Sequence, residues 1–510
     1  MQHTTIIHLL TKLTMKKIYF ISTILLLAFL SSCNNEEIVP IQETAVQEVL
    51  TVAEINQQIT KSLDEKGSFD WSDASDHLLW SASVHGGNIL TIGYGSENEN
   101  FRSESQKLIS VKEDIINTIS TSNGLKKSKK EIVVYDDEVL NYIDVKIVTL
   151  NTITELRKNP KIRYLEPDGF VYSGTIAQKS ASSSGCDKSS EKISNLDYGT
   201  LPTGARVPWN FYTHKINQAW AYSKGRGVGV GVVDTGLSPN QANLGAKFDD
   251  FYSGRYVRKY GAYVDSWKWW KTKTDGPNDK CGHGTSSCAT IAAPNNNTSQ
   301  FVGVAYECNL ISYRGTSDVV LNGYQEKKGV ANAIKALARR NDVKIISLSI
   351  GYIWSIGKVK DAIRYAYARN KMIFAAGGTS TSFTNWYGVI FPANMNETVA
   401  VTGIEERSSY NECDVCHTGS KIDFTFVMER GNNHHQPVLG YYNGQSTYFG
   451  GSSVATASTA GIAALVWAKY PSWSRAQILT RLKQSARFYP NKNGDFGYGS
   501  IDALKAVRGY

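Results

Sequence analysis

Three short blocks each place a chemically able side chain beside glycine: VVDTG carries Asp234, CGHGTSS carries His283 and GGSSVATAS carries Ser453. Asp234 ends an apolar run, while His283 and Ser453 each sit where a helical pattern begins. An acid, a histidine and a serine are what nucleophilic hydrolysis needs. The hydroxyl attacks, the imidazole takes and returns its proton, and the carboxylate fixes the imidazole tautomer and stabilises its charge. Taken singly, each has a plainer reading: a turn-forming Asp, a structural histidine, an N-capping serine. Their joint occurrence at three junctions of one kind argues for chemistry. The glycines around His283 and before Ser453 read as room for a substrate backbone. The glycines at 225–231 lack the G-x-G-x-x-G spacing and lie before and inside a strand pattern, which argues against a dinucleotide site.

Short apolar runs at Val228–Val233, Val302–Ala305, Lys344–Ile350, Met372–Ala376 and Thr398–Val401 read as buried strands. Helical patterns fall between several of them, at Ser286–Ala293, Val330–Arg339, Ile356–Ala368 and Val454–Tyr470. This alternation predicts an α/β fold, a largely parallel sheet with helices on both faces. In such sheets the site lies at the carboxyl ends of the strands, where the three blocks fall.

The 510-residue chain is too long for one ordinary core. Upstream, Ser103–Ser120 has helical spacing, Tyr142–Leu150 alternates like a strand, Thr152–Lys158 reads as a short helix and Ile162–Asp168 as a closing strand. This predicts a small α+β domain over residues 51–172. A Ser-rich linker follows over 173–205, and the sheet-bearing domain covers 206–510. The net charge of +9 without a basic, aromatic-interleaved module argues against a nucleic-acid partner.

The N-terminus reads as an export signal. Met15 opens Lys16-Lys17, then an apolar core from Ile18 to Leu30 and the sequence Leu30-Ser31-Ser32-Cys33, too short to span a bilayer permanently. LSSC resembles a bacterial lipobox. That likeness implies lipidation at Cys33, a true start at Met15, a tether over 34–50 and anchoring to the cell envelope, on an outer-membrane face left open. The six other cysteines, Cys186, Cys281, Cys288, Cys308, Cys413 and Cys416, suit disulfides in an exported chain but allow fifteen pairings. A bridge from Cys281 or Cys288 would brace the His283 loop. Cys186 could hold the linker by the same means. Cys413-Asp-Val-Cys416-His417 matches a haem-attachment spacing, with a local disulfide or two thiols as the alternatives. The tryptophan-rich segment Phe251–Lys273 is either surface packing or an added wall of the substrate site.

DTG, GHGT and GSSVA resemble the three signature blocks of the subtilisin-like serine proteases, in that family's Asp, His, Ser order, and the likeness runs from Val207 to Val507. It implies a serine endopeptidase acting on peptide or protein substrates, with Asp234, His283 and Ser453 catalytic. The upstream VKIVTLNTITELRKNPKIRYLEPD is similar to the family's inhibitor propeptide, which implies a zymogen whose own propeptide is a partner. Ser349, Ile350 and Gly351 would form one substrate wall and a backbone edge, Ala376 and Gly377 the other, and Ile390 a shallow apolar pocket floor. No cofactor is implied. Calcium is common in the family, yet no loop here carries a convincing ligand spacing.

Two departures stand out. Ala457 replaces a usual proline. More consequentially, the family's AAGN reads Ala375-Ala376-Gly377-Gly378 here, so the asparagine that donates to the oxyanion is Gly378. Thr379, Ser380 or another neighbour then supplies a donor beside the Ser453 N–H, or turnover is slow, or the protein binds peptides without cutting them. An esterase or acyl transferase on the same triad is a further alternative.

Overall fold

A computed structural model describes residues 47–509 except 98–100, 102–105, 124–128, 174–185, 253, 267, 380–387, 408–409 and 432–433. Cys33, Trp267, Ser380 and residues 174–185 of the linker therefore lie outside the described residues. Val49–Tyr510 form one compact unit.

Four antiparallel strands, β1 (Ile89–Tyr94), β2 (Val133–Asp136), β3 (Tyr142–Lys146) and β4 (Ile162–Glu166), form a sheet in the order β2-β3-β1-β4. Helices α1 (Val52–Lys66), α2 (Asp76–His85), α3 (Gln106–Ser122) and α4 (Leu150–Arg157) accompany it. The strand pattern expected to reach Leu150 stops at Lys146, because Thr149 caps α4 by accepting the Thr152 N–H. A side-chain cap outweighs a continued alternation.

The larger sheet is built from seven parallel strands: β5 (Gly229–Asp234), β6 (Val257–Gly261), β7 (Asn309–Arg314), β8 (Val343–Leu348), β9 (Met372–Ala376), β10 (Val399–Glu405) and β11 (Phe424–Glu429). Their order is β11-β10-β9-β8-β5-β7-β6. Helices α5 (His283–Ala292), α6 (Tyr324–Ala338), α7 (Gly357–Ala368) and α8 (Gly451–Lys469) cover it. One hydrophobic cluster joins α6 and α7 to the N-terminal sheet, and a second joins α5 and α8 to the opposite side of the strands. A strand buried on both faces carries continuous apolar sequence, as β5 and β9 do. Helix α8 is long and apolar enough to cross a membrane by composition, but 89% of that window is buried inside the fold.

Val302–Ala305, expected as a strand, forms a buried turn on α5, where Gly303 and Val304 donate to Ala293 and Thr290. Local burial produced its apolar run, and sheet pairing did not. The strands in this region are β6 and β7, whose charged and aromatic residues masked them from an apolar-run reading. β11 is a further strand that the sequence reading left out, although its run FTFVME is apolar up to Glu429.

The N-terminal segment is held to α6 and α7 by charge as well as by apolar packing. Lys358 Nζ, fully buried, lies 3.2 Å from both Asp144 carboxylate oxygens and 2.7 Å from Asp168 Oδ2. Tyr324 Oη donates to Asp144 at 2.6 Å. Arg163 forms a two-pronged pair with Asp361, both contacts 2.7 Å. Glu166 accepts the Gly357 N–H at the start of α7, where the helix dipole favours a carboxylate. From the tryptophan-rich loop, Trp269 lies under Lys146, whose Nζ is 5.0 Å from the ring centre. Described residues of that loop thus pack on the N-terminal segment.

Candidate active site

The carboxyl end of β5 delivers Asp234, and the first residue of α5 is His283. Ser453 stands in the first turn of α8, whose unsatisfied N–H groups and dipole favour negative charge. The three residues, far apart in sequence, meet in one chain of hydrogen bonds. His283 Nδ1–H donates to Asp234 Oδ1 at 2.8 Å, and Ser453 Oγ–H donates to His283 Nε2 at 3.0 Å. Asp234 is fully buried and also accepts from the Thr235 N–H at 2.7 Å and the Ser287 hydroxyl at 3.0 Å. Burial opposes the imidazolium most strongly, but the Asp234 carboxylate, with help from Asp279 and Asp318, outweighs it and raises the His283 pKa.

Asp279 organises the loop before His283, a role that sequence reading missed. One carboxylate oxygen accepts the Cys281 and Gly282 N–H groups, each at 2.8 Å, and the Thr235 hydroxyl at 2.9 Å. The other accepts the Thr285 N–H at 2.9 Å and its hydroxyl at 2.6 Å. Thr235 in turn accepts the Gly284 N–H at 2.9 Å. The threonines of DTG and GHGT were the available signal, since each block pairs its catalytic candidate with a hydroxyl.

Cys281 is bonded to Cys186, which carries the linker onto this loop. Gly282 has φ +107°, and a Cβ there would lie 2.0 Å from the Asp187 carbonyl oxygen. A Cβ on Gly284 would meet Gly236 O at 2.3 Å, and one on Gly451 would meet Thr379 Oγ1 at 2.7 Å. These glycines therefore answer to close internal contacts, a correction to the expectation that they make room for a substrate. A Cβ on Gly377 would lie 2.8 Å from Ile422 Cδ1, the tip of a side chain that can move.

The expected substrate walls are close to the triad. Ser349 Oγ donates to the Ser453 carbonyl at 3.1 Å, and the Ile390 N–H donates to Gly377 O at 3.0 Å. Ile350 and Ala376 are buried. The backbone edge expected at Gly351 is already paired, its N–H donating to Val319 O at 2.9 Å and its carbonyl accepting from Leu321 N–H at 3.2 Å. Among the described residues up to Ser173, the N-terminal segment adds no strand there.

Gly378 has φ +131°, and the imidazole of His417 fills the space above it, with Nδ1 2.3 Å from where a Cβ would stand. Cys413 and Cys416 form a disulfide, so the C-x-x-C-H spacing is a local clip that positions His417. Cys288 and Cys308 are buried thiols whose pKa values burial raises, that of Cys308 to about 12. Among the described residues, Glu405, Asp414 and Glu429 bring carboxylates within 4.8 Å of one another. Arg407 already pairs with Glu405 at 2.6 Å, and the Asp414 N–H donates to Glu429 at 3.2 Å.

The Subtilase family model matches residues 225–499, which include Asp234, His283 and Ser453. Alkaline elastase YaB of Bacillus sp. (strain YaB) is 31% identical over 60% of this chain and 72% of its own length. Subtilisin E of Bacillus subtilis (strain 168) is 26% identical over 78% of this chain and 91% of its own. Among solved structures, MycP1 with its N-terminal propeptide removed aligns at 22% identity and a TM-score of 0.47, covering 59% of this chain and 98% of that one. With more than half of the sequence inside the family match, the chain belongs to the subtilase family of serine proteases.

Proposed function

We propose that this protein is an exported serine endopeptidase, made as a zymogen, that hydrolyses peptide bonds through Asp234, His283 and Ser453. The observation that carries the reading is the position of His283, which shares one nitrogen with a buried carboxylate and offers the other to a serine hydroxyl. As Ser453 Oγ bonds to the scissile carbonyl carbon, its proton passes to His283 Nε2. Asp234 holds the opposite ring nitrogen and balances the charge that forms. His283 then protonates the leaving amine, and water repeats the sequence on the acyl-enzyme.

Residues 51–172 act as the inhibitory propeptide in this reading. Its support is the sequence likeness and the buried charge pairs that join this segment to α6 and α7. The maturation cut falls between Phe170 and Arg206, and Cys33 carries the lipid that anchors the protein to the bacterial envelope. Ile390 beside Ala376 and Gly377 suits a shallow apolar P1 pocket for small or medium side chains. A peptide library in which large aromatic P1 residues are cut best would overturn that specificity.

Gly378 favours a second reading, a peptide-binding protein with little turnover. A fluorophosphonate probe separates the two. Wild type is expected to label at Ser453 and to process its own N-terminal segment, and Ser453→Ala to do neither. Absence of both in wild type would end the peptidase reading.

A further inference from the structure

The peptidase reading leaves one chemical gap. A tetrahedral intermediate places charge on the former carbonyl oxygen, and one backbone N–H, that of Ser453, is a thin supply of donors. Residue 378 has no side chain, and His417 occupies the space beside it. That ring cannot take over as donor. Its Nδ1 contacts the Gly388 carbonyl at 2.8 Å, and since a carbonyl only accepts, Nδ1 carries the proton. Burial pushes the His417 pKa down to about 4, so the ring is neutral and its other nitrogen presents a lone pair. The Gly378 N–H is engaged as well, donating to Ser452 Oγ at 3.3 Å.

Among the described residues, the hydroxyls of Thr379 and Ser452 stand beside Gly378. Thr379 Oγ1 accepts the Ser452 N–H at 3.0 Å. The two hydroxyl oxygens lie 2.7 Å apart. Each therefore accepts one backbone N–H, and a single O–H bridges them. Two hydroxyls bring two protons, so in either orientation one O–H is left without an acceptor among the described residues. It belongs to a pair already polarised by two N–H groups and one O–H, the arrangement in which hydrogen bonds strengthen one another. The pair is fixed in place. Ser452 is buried next to the nucleophile, and Thr379 forms a backbone bridge with Cys416, itself clipped to Cys413.

We propose that the Thr379–Ser452 hydroxyl pair supplies the second hydrogen bond to the oxyanion, in place of the amide absent from residue 378. When Ser453 Oγ attacks, the carbonyl π pair moves onto oxygen. That oxygen accepts the Ser453 N–H and the spare hydroxyl proton without proton transfer, and returns the pair as the amine leaves with the proton from His283. The inference rests on the peptidase reading. It also gives the C-x-x-C-H clip a purpose, to hold Thr379 in register while His417 closes the space above Gly378.

The test uses the full chain and compares wild type with Thr379→Val, Ser452→Ala and the double variant. Each single change is expected to lower kcat by about 10²-fold, the low end of the loss measured for an oxyanion donor in subtilisin. KM should move little, because the bond forms only in the transition state. The double variant should be no worse than the poorer single one, since either change alone already breaks up the hydroxyl pair that presents the spare proton. Ser452→Thr and Thr379→Ser, which keep the hydroxyls, should recover most of the loss, an outcome that simple loss of packing would not give. Multiplying losses, or a double variant with wild-type kcat, would overturn the inference while leaving the peptidase reading intact. A wild type that neither hydrolyses peptides nor labels at Ser453 would bring both down.

Discussion

The imidazole of His417 stands where a side chain on Gly378 would project, and the His417 N–H donates to the Gly378 carbonyl at 3.1 Å. Any other residue at 378 meets both that ring and a φ of +131°. The backbone conformation alone costs on the order of 1–3 kcal/mol for a non-glycine residue. Gly378→Ala is therefore expected to destabilise the protein by at least that much. Adding His417→Ala removes the collision but keeps the backbone strain, so the double variant should lose less than the sum of the singles. Denaturant unfolding of the four proteins measures this, and strict additivity would mean that the ring does not compete for that space.

The Cys186–Cys281 bond joins residues 95 apart and fixes the linker beside His283. Breaking it with Cys186→Ser should cost about 2–4 kcal/mol, chiefly through the freedom regained by the unfolded chain. It should also lower kcat, because Gly282 and His283 lose their covalent support. Non-reducing peptide mapping provides the direct check. Cys186 should pair with Cys281 and Cys413 with Cys416, while Cys288 and Cys308 should alkylate only after denaturation.

Lys358 pairs with both Asp144 and Asp168 beneath the N-terminal segment, and Lys327 shares Asp168 at 3.5 Å. Lys358→Met leaves buried carboxylates without that partner, which is expected to cost about 3–5 kcal/mol. Removing the charges together, in Lys358→Met with Asp144→Asn and Asp168→Asn, should restore a large part of that loss. Thermal unfolding of the full chain distinguishes the two, and equal melting temperatures would argue that the charges are not coupled.

His283 acts as a base only when neutral, and its pKa is raised in the folded protein. Activity should accordingly fall on the acid side at a pH above the ordinary imidazole value. Asp318 contributes to the raised value by stabilising the imidazolium. Asp318→Asn should therefore lower the His283 pKa and carry the acid limb of kcat/KM to lower pH, with the plateau rate nearly unchanged. An acid limb displaced upward would reverse the assigned sign.

Much of the site could be read from the chain because its signals are local. Asp234, His283 and Ser453 each lie at a strand end or helix start, and those junctions show as a change of apolar period beside glycine. The strand Met372–Ala376 and the helix ending at Ala368 follow directly from such patterns. The strands β6 and β7 did not, since the tyrosine and basic residues within them hide the apolar run, and β11, though apolar up to Glu429, was not read as a strand either.

What sequence determined by itself is therefore the set of candidate groups Asp234, His283 and Ser453, the alternation of strand and helix that presents them, and the absence of an amide at residue 378. Only the tertiary structure decided why that residue is glycine, because His417 arrives from a separate loop and no periodicity links the two. The same is true of Gly282 under Asp187 and of the spare proton of Thr379 and Ser452. Periodicity records which face of an element is buried. Which neighbour buries it is settled by packing between segments distant in the chain, and here that packing sets His417 over Gly378 and Ser452 against Thr379.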